Sequence, residues 1–239
     1  MEYGIQLYSV RDLAEMDLAK ALEAVAKMGY THVEFAGFFN YPAKEVKAML
    51  DNNGLKVSGT HSLLDELDGD FAALVDYHHT IGNTNYVCGI RKFDAERLAS
   101  SVESLNKYQR MLAAEGIRLG LHNHDKEFRP NDAGQLPVQV LWDNTDIVFE
   151  VDTYWVYIAG KDPVKVIEEM KSRVPMIHLK DGDDQRNGFS LGSGMAPVAA
   201  VREKAIELGM HIIVESEGLQ PDGVSEVGRC MDYLKSLES

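Results

Sequence analysis

Short runs of β-forming residues alternate with amphipathic helical segments from one end of this 239-residue chain to the other, and this alternation limits the possible folds more than any other feature. The runs at 3–8, 31–36, 56–60, 84–88, 118–122, 147–152, 176–179 and 211–215 read as strands. Between them, segments such as 17–28, 43–52, 94–115, 162–172, 197–208 and 224–234 carry Leu, Ala, Val and Met at three- and four-residue spacings, the mark of helices that pack one face on a sheet. Strands joined by helical crossovers lie parallel. Eight such units predict an α/β protein, a single (β/α)8 TIM barrel, with residues 1–239 forming one domain.

A faint internal echo supports repetition of one unit. Gly29, Gly116 and Gly209 each close a helix, and the strand that follows runs into Glu34, His122 or Glu215. An open doubly wound sheet would announce a nucleotide with a glycine-rich first turn, but residues 6–12 read QLYSVRD. The longest irregular stretch, 183–197, carries Gly188, Gly192 and Gly194 and is expected to be a functional loop able to close over a ligand.

Composition narrows the partners. Hydrophobic residues make up 45% and charged ones 26%, enough to bury a core, and a formal charge of −14 opposes a nucleic-acid backbone. Cys88 and Cys230 lie far apart with no CxxC spacing and read as buried thiols. The chain has neither a signal-peptide pattern nor an apolar stretch of about 20 residues, so the expected location is cytoplasmic, without a membrane partner. A homo-oligomer is compatible with all of this.

A barrel builds its active site at the carboxyl ends of its strands, and here those ends are rich in acids and imidazoles. They supply Gln6, Glu34, His61, His122, His124, Glu127, Glu150, Asp152, His178, Lys180, Asp181, Glu215 and Glu217. Pairs two apart, such as His122/His124, Glu150/Asp152 and Glu215/Glu217, share a strand face. Each residue taken singly has a structural reading as a hydrogen-bonded strand end. Together, a crowd of acids and imidazoles at one mouth calls for a cation, and a His/Asp/Glu set without Cys suits Mn²⁺, Zn²⁺, Co²⁺ or Mg²⁺. Tyr154 and Trp155 read either as packing between strand and helix or as a platform for a sugar ring. Lys180 and Asp181 read either as a surface ion pair or, for Lys180, as a substrate contact. Arg11 and Arg91 are further candidates for an anionic substrate.

Five motifs in order, GIQLYSVRD at 4–12, GLHNHDKEF at 120–128, FEVDTYW at 149–155, IHLKD at 177–181 and IVESE at 213–217, resemble the xylose isomerase-like TIM barrels, the sugar phosphate isomerase/epimerase superfamily. The resemblance covers essentially the whole chain. It implies a divalent metal held by Glu, Asp, His and Glu on four successive strands, and Asp152, His178 and Glu215 match three of these. The first Glu has no counterpart, and His122, His124 or Glu127 would replace it; the expected metal set is His124, Asp152, His178 and Glu215. Relatives often carry a His just after the Asp ligand, where this chain has Tyr154 and Trp155.

The implied reaction is isomerisation or epimerisation of a sugar or sugar phosphate through an enediolate, with Glu215, Glu127 and His124 moving protons. Gln6, Glu34, His61, His122, Trp155 and Lys180 are the expected substrate contacts. The same chemistry serves an inosose dehydratase-like or 3-keto-sugar lyase, and a non-catalytic sugar-binding barrel is the rival outside enzymology. The endonuclease IV branch of the superfamily is excluded by charge and by its larger ligand set.

Overall fold

Eight of the apolar runs lie side by side in parallel and close on themselves in a computed structural model that describes residues 1–238. The strands are β1 (Gly4–Gln6), β2 (His32–Phe35), β3 (Lys56–Leu63), β4 (Asn85–Gly89), β5 (Arg118–His122), β6 (Val148–Asp152), β7 (Met176–Leu179), β8 (Asp181–Gly182), β9 (Gly188–Phe189) and β10 (His211–Val214). Around the barrel the order is β1-β10-β7-β6-β5-β4-β3-β2, while β8 and β9 form a separate antiparallel hairpin. The chain is therefore a single (β/α)8 barrel.

Local chemistry explains where the elements begin and end. Asp17, Asp70, Asp94, Asp162 and Asp222 each accept a backbone N–H from the first turn of the helix that follows, satisfying donors that have no intrahelical partner. Gly29, Gly116 and Gly209, the residues of the internal echo, all have positive φ, at 106°, 72° and 68°, where a side chain would strain the backbone. The apolar helix faces pack on the outside of the barrel in one continuous core that includes Ile5, Leu22, Val33, Leu105, Leu121, Val151 and Leu179. Inside, Val87, Met176 and Ile213 form a small apolar plug. Met176 and Ile213 each sit two residues before a site residue, His178 and Glu215, so the plug underlies the polar mouth.

Three differences from the sequence reading have physical causes. The first strand ends at Gln6, because its side chain accepts the Tyr8 N–H and turns residues 7–10 into a 3₁₀ helix. Part of the stretch 183–197 is tied down, at residues 192–196. After the β8–β9 hairpin, the buried Asp181 carboxylate accepts backbone N–H groups from Gly182, Gly192, Gly194 and Ala196 at 2.8–3.0 Å. Lys180 and Asp181 are both buried, so neither belongs to a surface ion pair. Cys88 and Cys230 are free buried thiols, as expected. No helix among the described residues is long and apolar enough to cross a membrane.

Candidate functional site

Strand register assembles the polar mouth. Asp152 on β6 lies opposite His178 on β7, and His122 on β5 lies opposite Glu150. Val214 pairs with Leu179, so the next residues, Glu215 and Lys180, come side by side. Gln6 pairs with Glu34 across β1 and β2.

His122, Asp152, His178 and Glu215 each offer one donor atom, and these four atoms all lie within 4.8 Å of one another. Ligands about 2.0–2.2 Å from a shared ion approach one another to much the same degree. The fit of a divalent cation rests on lone pairs left unused. His122 Nδ1 and Nε2, Asp152 Oδ2 and His178 Nδ1 are buried without hydrogen-bond partners among the described residues. Buried polar atoms are rarely orphaned unless a partner is provided for. Asp152 shows how the local fold frees its donor: Oδ1 accepts the Trp155 N–H as the cap of the helix Thr153–Ile158, leaving Oδ2 turned toward the group. Asn123 fixes the same strand end, accepting the Asp152 N–H at 3.0 Å and donating to the Asp152 carbonyl at 3.2 Å.

A second set of acids backs His178. Its Nε2 lies 2.9 Å from Glu34 and 3.2 Å from Glu150, while Nδ1 lies 3.3 Å from Glu215. Gln6 donates to the other Glu34 oxygen at 2.8 Å. Burial by itself would lower the His178 pKa, but Glu150, Glu34 and Glu215 outweigh it and hold it well above the usual imidazole range. Burial pushes Glu150 well up, and the neighbouring Glu34 charge adds to this. Burial also drives His122 well down, with His61 and His178 adding to the shift, and lowers His61 and His124. Those three rings are neutral at physiological pH, with lone pairs free to act as ligands or bases.

Lys180 is buried at the centre. Its Nζ lies 2.8 Å from Glu217, 3.3 Å from Glu215 and 3.9 Å from Asp152, and 4.8 Å from the Trp155 ring centroid. Burial opposes its charge, but the three carboxylates raise its pKa. Lys180 and His178 in turn outweigh burial at Glu215 and hold that carboxyl well below its ordinary range. Burial lifts Asp152 to about 7 against the pull of Lys180.

The other sequence candidates find distinct places. The His61 ring lies tilted with its centroid 4.5 Å from that of His122, and His124 lies 5.2 Å from His122 and 5.5 Å from Trp155. His124 is thus beside the four-residue group, and His122 is inside it. Glu127 is buried, accepts the His124 N–H at 3.0 Å and is raised by burial to about 8. Trp155 faces the site, whereas Tyr154 is fully buried and donates to the Asp183 carbonyl. Arg11 is bound to the carbonyls of Tyr8 and Glu217 and is spent on structure.

Sequence reading passed over Asn123, Asp125 and Arg186 as site residues. Arg186, at the hairpin tip with φ of 74°, reaches Asp125 at 2.5 Å and lies 5.1 Å above the Trp155 ring. No local pattern announces these three. Glu217 was signalled by its two-residue spacing from Glu215.

A closed parallel barrel with a His/Asp/Glu cluster at its carboxyl mouth defines the class. The profile of the xylose isomerase-like TIM barrel family matches residues 22–237, and the chain belongs to that family. It is similar to the crystal structure of a sugar phosphate isomerase/epimerase from Parabacteroides distasonis ATCC 8503, with 25% identity and a TM-score of 0.83 over 98% of this chain and 93% of that one. A probable 3-DHS dehydratase from Bacillus anthracis shares the fold alone, at 13% identity and a TM-score of 0.77 over 98% of this chain and 99% of that one. A curated relative, 2-oxo-tetronate isomerase of Haemophilus influenzae (strain ATCC 51907 / DSM 11121 / KW20 / Rd), is 49% identical over 43 residues, 18% of this chain and 17% of that protein.

Proposed function

We propose that this chain is a divalent-metal-dependent isomerase or epimerase of a keto- or aldo-sugar, with His122, Asp152, His178 and Glu215 as the metal ligands. The observation that carries this reading is the convergence of four buried donor atoms within 4.8 Å of one another, with His122, Asp152 and His178 each leaving an atom without a hydrogen-bond partner among the described residues. The kinship with sugar phosphate isomerases/epimerases and with a 2-oxo-tetronate isomerase supports it. His122 takes the place of the first carboxylate ligand that the resemblance implies, so the ligand set carries one negative charge fewer. A bound Mn²⁺, Zn²⁺, Co²⁺ or Mg²⁺ would supply Lewis acidity toward a sugar carbonyl and its neighbouring hydroxyl.

The remaining chemistry belongs to the chain. Lys180, held positive by its carboxylate neighbours, faces the oxygen on which charge develops. Glu215 and Glu217 lie on one side of the Lys180 ammonium and offer a carboxylate to take the proton next to the carbonyl. His124, half-buried on the Trp155 side and neutral at rest, takes up a proton from solvent and, as the imidazolium, delivers it on the opposite face, and the protonated Glu127 behind it fixes the backbone that carries it. Trp155 offers its ring to the apolar face of the sugar.

The test is solvent exchange. Metal-supplemented protein is incubated with keto- and aldo-sugars in D₂O, and deuterium is followed by NMR at the carbon beside the carbonyl. Incorporation with conversion, lost in Glu215→Gln, is the expected result. Metal-loaded protein that exchanges no sugar proton would refute the reading. Release of water or of a leaving group with each exchange would instead favour elimination, the lyase reading that the neutral imidazoles His122 and His124 keep open.

A further inference from the structure

A cavity of about 320 Å³ opens at the ends of β3 and β4, against the helix Ala95–Ala114. Its wall carries Arg91, Lys92 and Arg97, and Ser101 and Ser104 beside them. Residues 97, 101 and 104 follow a four-then-three spacing, so the helix turns one polar face into the cavity. In a chain of net charge −14, none of these three cations is in an ion pair with any described residue. Two acids share the wall. Asp68 is engaged, accepting the Tyr108 hydroxyl and lying 3.8 Å from Lys107, which leaves Asp65 against three cations.

The cavity adjoins the metal-ligand group. Gly89 is part of its wall, and a Cβ there would sit 3.5 Å from His61 Nε2. The His61 ring is in turn 4.5 Å from His122. The His61 imidazole stands between the cavity wall at Gly89 and His122, the first proposed ligand.

We propose that this cavity is an anion subsite, holding a terminal phosphate or carboxylate of a sugar whose carbonyl end reaches His122, Asp152, His178 and Glu215 past His61. Guanidinium forks at Arg91 and Arg97 match the paired oxygens of either anion, Lys92 adds a point charge, and the serine hydroxyls donate to the remaining oxygens. The substrate class, an anionic rather than a neutral sugar, rests on the isomerase reading; the ligand chemistry of the cavity rests on its own residues.

Isothermal titration of the metal-supplemented protein with ribose 5-phosphate, riburonate (carboxylate at C5, aldehyde retained) and neutral ribose tests this. Wild type is compared with Arg91→Gln/Arg97→Gln and with Arg110→Gln, which removes one exposed cation from the same helix outside the cavity. Thermal melting and metal content verify that each variant is folded and loaded. One anion should bind more tightly than ribose, and the double variant should lose that advantage by about tenfold or more, with Arg110→Gln unchanged. Whichever of the two anions binds more tightly identifies the source of the charge. Equal anion affinity in wild type and double variant, or no preference over ribose, overturns the subsite. Loss of anion binding without any sugar turnover keeps the subsite and removes the isomerase reading; turnover without an anion preference does the reverse.

Discussion

Single side chains in this mouth divide their atoms between fold and chemistry, and Asp152 is the clearest case. One oxygen caps a helix and the other faces the ligand group, while Asn123 holds its backbone from both sides. Asn123→Ala keeps all four proposed ligands and loosens their support. Its metal affinity, measured by competition with a chelator, should fall about 10- to 100-fold, and an unchanged affinity would deny Asn123 that role. Glu127 makes a pH prediction. Its pKa rises from 4.5 to about 8 on burial, so the fold retains a proton that the unfolded chain gives up. Stability therefore declines as pH climbs from about 4.5 and levels off above about 8. Glu127→Gln keeps an acceptor for the His124 N–H and removes that decline. Denaturant unfolding should show the variant gaining on wild type between pH 5 and pH 9, by at most about 5 kcal/mol. Parallel curves for the two proteins would show that Glu127 ionises freely in the fold.

Among elements, the hairpin β8–β9 and the stretch after it carry the most specific geometry. Four backbone N–H groups converge on the Asp181 carboxylate, and a Cβ on Gly194 would fall 2.3 Å from Asp181 Oδ1, so the loop is built around that acid. Asp181→Ala should cost about 3 kcal/mol and raise hydrogen exchange across residues 190–196. Unchanged protection there would mean that the loop is held by other contacts. This is also where sequence reading fell short. The glycines marked the segment as special, but three donors converging from eleven to fifteen residues away leave no periodic trace. All eight barrel strands were legible as short apolar runs between amphipathic helical segments, and the helix stops Gly29, Gly116 and Gly209 marked where three of them start. Helices Phe71–Ile81, Pro137–Asn144 and Thr153–Ile158 were not singled out. The last is a single short element whose start depends on the side chain of a site residue, and that dependence is tertiary.

At the scale of the whole molecule, the barrel is a device for register. Parallel pairing puts Asp152 beside His178 and carries Glu215 to Lys180, so residues 26 and 35 positions apart meet without a local motif. Sequence periodicity told which residues face inward, and the ladder decided which of them touch. His122 and His124 show the limit: both share a strand face by spacing, but only the register brings His122 into the four-residue group. A mouth of buried acids and imidazoles with unused lone pairs is costly without a cation, so metal binding should stabilise the whole fold. A chelator should lower the melting temperature, and Mn²⁺ or Zn²⁺ should restore it.

The most direct measurement is metal content. Protein purified without chelator is compared with an Asp152→Ala/His178→Ala double variant by elemental analysis and by titration with Mn²⁺ and Zn²⁺. About one equivalent of divalent metal is expected in the wild type, and its loss in a folded double variant. A wild type that neither carries nor takes up metal, or a double variant that binds it equally well, would show that His122, Asp152, His178 and Glu215 hold no metal.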